Sequence, residues 1–167
     1  GVPIITLLPI FARDVFDIGS AGYSTMMAAS GAGAVVGALF YAGLANVKNR
    51  GKLTLWIQLA LALLIAIFAF SRSLVLSYCV LFLAGGALIG LFASITSLVQ
   101  LNTTDEMRGR VMSIFMMAFR GGMPLGSLIA GLVASSISTS VALLLVSVLL
   151  AVGAIGFLTS NSRVKEL

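Results

Sequence analysis

Arg120 has more scope for chemistry than any other side chain here, because of where it sits. It lies about ten residues beyond the basic triplet Arg108-Gly109-Arg110, inside the apolar run Val111–Ala134. At about 1.5 Å of rise per residue, its backbone lies roughly 15 Å past the triplet. In a hydrocarbon layer about 30 Å thick, that is close to the midplane. A guanidinium at that depth needs a partner, and intramembrane ionisable residues mark functional sites by default. The five acidic residues all fall outside the apolar runs. The partner of Arg120 is therefore a backbone carbonyl freed near Pro124, a carboxylate from another polypeptide segment, or an anionic ligand. Snorkelling along its aliphatic stem is the blander alternative. At 100° per residue, Ser113, Met117, Pro124, Ser127 and Gly131 share the face of Arg120, whereas Gly122 and Gly126 lie on the other side.

Other chemistries lack their residues. Without histidine and with one cysteine, Cys79, the chain offers no disulfide framework and no metal cluster. It has no paired carboxylates and no nucleophile–histidine set, so neither a hydrolase nor a metalloenzyme is expected, and no cofactor or metal is implied. Cys79 reads as a small packing residue near a helix end. The net charge of +5 does not point to nucleic acid, because the basic residues sit in short turns rather than along a stripe.

The elements that must position Arg120 are membrane helices. Hydrophobic residues make up 60% of the chain, charged residues 9%, and the mean hydropathy is +1.16. A soluble domain carries roughly a quarter charged residues. Apolar runs of spanning length cover about Gly22–Ala45, Leu53–Phe70, Leu74–Gln100, Val111–Ala134 and Val141–Leu158. A shorter run, Gly1–Ala12, reads as the partial end of a further helix whose beginning is missing. The expected fold is an all-α membrane protein, a helical bundle of five full transmembrane helices plus one partial. Thr103-x-x-Glu106 fits a capping box ahead of the Val111 run.

Orientation follows from lysine and arginine. Lys48, Arg50, Lys52, Arg108, Arg110, Arg163 and Lys165 collect on one side, and only Arg13 and Arg72 on the other. The larger set marks the cytoplasm, placing the C-terminus there. Trp56 fits the cytoplasmic interface, and Tyr23 and Tyr78 the outer one. Leu53–Phe70 and Val141–Leu158 have few polar residues and read as lipid-facing. The other three full spans are rich in small and hydroxylic residues, which let helices approach closely, and are expected to form an inner layer. Gly33-x-x-x-Gly37 and Gly122-x-x-x-Gly126 are their packing pairs, with Pro124 between the latter. Ser30, Ser94, Thr96 and Met117 are candidate lining residues beside Arg120.

LLPIFARDVFDIGSAGYSTMMAASGAGAVVGAL (Leu7–Leu39) and RGRVMSIFMMAFRGGMPLGSLIAG (Arg108–Gly131) resemble major facilitator superfamily transporters of the drug- and siderophore-exporter branch, which includes enterobactin-exporter-like proteins. The whole chain resembles the C-terminal six-helix half of such a transporter. In that comparison the inner helices seven, eight, ten and eleven correspond to the partial run and the three glycine-rich spans. Gly43-Leu-Ala-Asn-Val-Lys-Asn-Arg-Gly-Lys52 is a degenerate copy of the family loop motif G-x-L-A-D-R-x-G-R-R, one residue longer between glycines and without the aspartate. The resemblance implies proton-coupled export of a small amphipathic substrate by alternating access, with the N-terminal half of the transporter as partner. It implies a bacterial inner membrane setting. The rival reading is a helical membrane subunit or scaffold that binds a partner and transports nothing.

Overall fold

Long apolar runs in a chain with few breakers become helices, since only a helix satisfies its own backbone in hydrocarbon. The computed structural model describes residues 2–14, 16, 18–43 and 49–160. Its six helices are α1 (Val2–Asp14), α2 (Gly19–Gly43), α3 (Arg50–Phe70), α4 (Leu74–Leu101), α5 (Asp105–Ser136) and α6 (Thr139–Ser160). Five of them are long and apolar enough to cross a membrane. The expected all-α membrane bundle is what the chain forms. Ala45, Lys48, Arg163 and Lys165, used above to bound a span or to count charge, lie outside the described residues.

Two starts differ from expectation. α5 begins at Asp105, so Arg108, Gly109 and Arg110 belong to its early turns rather than to a loop. Its N-cap is Thr104, in extended conformation, and no side chain caps it. Thr103 Oγ1 instead donates to the Val99 carbonyl, closing α4, so the expected Thr103–Glu106 capping box does not form. The acidic pair Asp105 and Glu106 still occupies the first turn, where the helix dipole favours negative charge. α3 starts from Asn49, whose φ of 67° is left-handed, a conformation asparagine tolerates better than most residues.

Traced through their contacts, the helices form a closed circuit, α1–α2–α4–α3–α6–α5 and back to α1, with α1 also touching α6 and α4 touching α5. The core lies at the end where α1 finishes and α4 begins. There Leu7, Phe11, Leu61, Ile65, Phe68 and Leu143 are almost wholly buried. Phe11 stacks at a tilt on Phe68 with ring centroids 4.6 Å apart.

The expected tiers are redrawn by packing. α2 and α4 do pair intimately. A Cβ at Gly33 would strike the Phe82 carbonyl, one at Gly37 the Gly86 backbone, and one at Gly85 the Ser30 carbonyl. α3, expected at the periphery, is the best covered of the long helices, while α5, expected inside, is the least covered. Polar content did not decide this. α3 buries Leu55, Leu61, Ala62, Ile65 and Phe68 on one side and leaves a single outward stripe, Trp56, Leu63, Ile67 and Phe70.

Candidate functional site

α5 positions the candidate site, and its angular order explains how. Ser113, Arg120 and Ser127 recur every seven residues, so they fall in one stripe that drifts about 20° per repeat. Phe119, Met123 and Ala130 point to the covered side, and Ile114, Leu125, Leu128 and Leu132 form an exposed apolar ridge. The polar stripe separates the two. Arg120 lies fifteen residues after Asp105 and sixteen before Ser136, at the middle of the helix.

Each serine of the stripe has a partner. Ser113 Oγ donates to the Gly109 carbonyl at 2.8 Å. Ser127 Oγ and Thr6 Oγ1 lie 3.1 Å apart, joining α5 to α1. Arg120 is different. It is exposed, and among the described residues no carbonyl, carboxylate or ring receives it. The carbonyl partner considered from sequence is thus not taken up. Inserting an arginine at the centre of a hydrocarbon layer costs about 2.5–3.5 kcal/mol on translocon scales, so an unpaired guanidinium there calls for a complementary group.

Pro124 sharpens the site. It has no N–H, so the carbonyl of Arg120, four residues earlier, loses its helical donor. Arg120 therefore presents a cationic donor from its side chain and an under-satisfied acceptor from its backbone. On the covered side, Phe119 meets Phe92 of α4 at 4.9 Å between centroids and Phe115 at 6.1 Å. These rings form the α4–α5 contact beside Arg120.

The remaining candidates do not converge on one cavity. Met117 is 75% exposed on α5. Thr96 is half-buried and its Oγ1 donates to the Phe92 carbonyl at 2.8 Å, which places it behind the aromatic contact. Ser94 lies 200° around α4 from Phe92, is fully buried, and its hydroxyl has no partner among the described residues. Ser30 is half-buried at the α2–α4 crossing. Gly33 and Gly37 make their close approach. A Cβ at Gly122 would meet nothing within 4 Å. With Gly126, it lines an apolar groove of about 590 Å³ between α5 and α6. That groove lies on the glycine side of α5 and not on the side of Arg120. Arg108 pairs with Asp105 at 2.7 Å on the surface, and Arg110 is exposed without a role in the stripe.

Sequence reasoning passed over the polar residues of the two plain helices. Gln58 Nε2 donates to the Leu150 carbonyl at 2.9 Å, and the buried Ser147 Oγ donates to the Ala62 carbonyl at 2.8 Å. Both bonds join α3 to α6. Their signal was isolation: a lone polar residue in an otherwise apolar span must find a partner in a neighbouring helix. Arg50 was likewise assigned to a loop, yet Nη1 donates to Ser97 Oγ at 2.8 Å and ties the start of α3 to α4.

No curated protein and no solved structure matches the chain. The family model described as transmembrane secretion effector matches residues 1–167, the entire sequence. With five helices long and apolar enough to span a membrane and a match over its whole length, this chain belongs to the transmembrane secretion effector family, of the major facilitator type of membrane transporter.

Proposed function

We propose that the chain is the C-terminal six-helix half of an exporter for a small amphipathic compound, of the drug or siderophore kind, working by proton-coupled alternating access. The observation that carries this reading is Arg120. It is a mid-helix cation on an uncovered polar stripe, with no acceptor among the described residues. Substrate sites in such transporters lie near the bilayer midplane between two repeats, which then rock about the site. The uncovered face of α5 suits that junction. Arg120 takes the anionic or acceptor end of the substrate, and its freed carbonyl takes a donor. Met117 on the same helix contacts the apolar part, as its flexible thioether adapts to varied shapes. Thr96 supports from behind the aromatic contact. Ser30 and Ser94 sit at interhelical contacts and are assigned no direct contact in this conformation.

The apolar runs contain no acidic residue, and Asp105 and Glu106 sit only in the first turn of α5, so the proton-carrying carboxylate is assigned to the N-terminal half. The basic side, with Arg50, Lys52, Arg108 and Arg110, faces the cytoplasm of a bacterial inner membrane, and the C-terminus lies on that side.

The test uses the full-length parent in proteoliposomes with an imposed pH gradient. Arg120→Ala is expected to lower substrate flux at least about tenfold, the worth of one charge-assisted contact. Arg120→Lys is expected to retain part of it, because lysine keeps the charge but not the bidentate fork. Full transport by both variants removes Arg120 from the mechanism. A folded parent that moves no substrate under any gradient supports the scaffold reading instead.

A further inference from the structure

A second groove, of about 290 Å³, runs between α2 and α3 with α4 as its floor. Its walls include Phe40, Tyr41, Leu53 and Ile57, and its floor includes Gly86 and Gly90. The floor is deep because the α2–α4 crossing is made of glycines, which place backbone where side chains would otherwise fill the space. Among the described residues, the only polar side chain lining the groove is that of Tyr41. The α5 stripe lies on a different helix and does not reach it.

Three features fix what suits this groove. Along α2 its lining runs from Gly33 to Tyr41, a rise of about 12 Å. That is near the half-thickness of a hydrocarbon layer about 30 Å deep, the depth of one leaflet. It ends beside the start of α3, where Lys52 immediately precedes the lining residue Leu53 and Arg50 is held in place by Ser97. Among the described residues, the acids at that end of the bundle are Asp105, already paired with Arg108, and Glu106. Trp56, 64% exposed, adjoins the lining residue Ile57. An apolar slot about one leaflet long, with basic residues next to its end and an indole adjoining it in sequence, is complementary to one kind of molecule.

We propose that this α2–α3–α4 groove holds an acyl chain of an anionic phospholipid from the leaflet on the Arg50 side, with its phosphate at Lys52 and the Tyr41 hydroxyl. The lipid does for the groove what a side chain cannot do at a glycine crossing: it fills the space without pushing α2 from α4. The site does not depend on the transport reading, and it would persist in a protein that moves no substrate.

Trp56 is the only tryptophan of the chain, so it reports locally. The experiment reconstitutes the chain in phosphatidylcholine vesicles containing an equal fraction of either acyl-brominated phosphatidylglycerol or acyl-brominated phosphatidylcholine, and compares quenching of Trp56. The expected preference for the anionic lipid is about fivefold, the contribution of one lysine at an anionic surface. Lys52→Gln is expected to bring the ratio near one. Ala60→Phe fills the slot at an exposed position and is also expected to abolish the preference, with helical circular dichroism unchanged. A ratio near one in the unsubstituted chain overturns the proposal. A preference that survives Ala60→Phe also overturns it, since it then reflects diffuse attraction to the basic end.

Discussion

Single polar atoms govern this chain because water is not available to satisfy them. Arg120 and its freed carbonyl form one such centre. The other is the α3–α6 seam, where Ser147 and Gln58 each donate across to a carbonyl. Such interhelical bonds average about 0.6 kcal/mol in membrane proteins, because the separated helices also find partners in the bilayer. Ser147→Ala is therefore expected to destabilise the α3–α6 pair by about 0.5–1 kcal/mol. Gln58→Leu should cost a similar amount. The two bonds use different acceptors, Ala62 and Leu150, so the double variant should lose the sum. Reversible unfolding in bicelles, read as a double-mutant cycle, measures this. A double-variant loss well below the sum would mean that one bond positions the other.

At the scale of the helix, the same residue type has opposite consequences depending on what it faces. Gly33→Ala drives a methyl into the Phe82 carbonyl, and neither backbone can yield without parting α2 from α4. Overpacking of this kind costs about 1–3 kcal/mol, and the upper end applies where the obstacle is main chain. Gly131→Ala meets nothing within 4 Å and gains up to about 1 kcal/mol of helix propensity. Thermal unfolding in detergent should separate the two variants clearly. Equal melting temperatures would mean that the α2–α4 crossing is not the close one described. Sequence revealed the Gly33–Gly37 approach, because small residues at four-residue spacing have few other uses in an apolar helix. It could not distinguish this pair from Gly122–Gly126, whose first glycine stands open, since identical spacing says nothing about which neighbour arrives. The helices themselves were legible, because a hydrocarbon-length apolar run permits little else. Their relative burial was not. α3 is covered by ordinary apolar side chains, which look alike whether they meet lipid or protein. Arg120 stood out because a charge inside a span is costly wherever it points, whereas Ser94 and Thr96 looked equivalent until α4 placed them on different faces.

For the molecule as a whole, the question is which end faces the cytoplasm. Among the described residues Arg50, Lys52, Arg108 and Arg110 gather at one end, and Arg13 and Arg72 at the other. Charges within short segments near the helix ends set orientation, because positive residues resist translocation. Here the bias is reinforced by structure. Arg50 is tied to Ser97 and Arg108 to Asp105, so these charges stay at the helix ends rather than ranging into solvent. Turns α3–α4 (71–73) and α5–α6 (137–138) should therefore lie outside, and turn α4–α5 (102–104) inside. Alkaline phosphatase fused within the first two should be active, and fused within the third inactive, with a cytoplasm-active reporter giving the complementary pattern. Replacing Arg108 and Arg110 together by Gln should weaken but not invert this pattern, since Arg50 and Lys52 remain at the same end. Full inversion by that pair alone would show that the start of α5, and not the summed charge of the basic end, dictates how the bundle sits in the membrane.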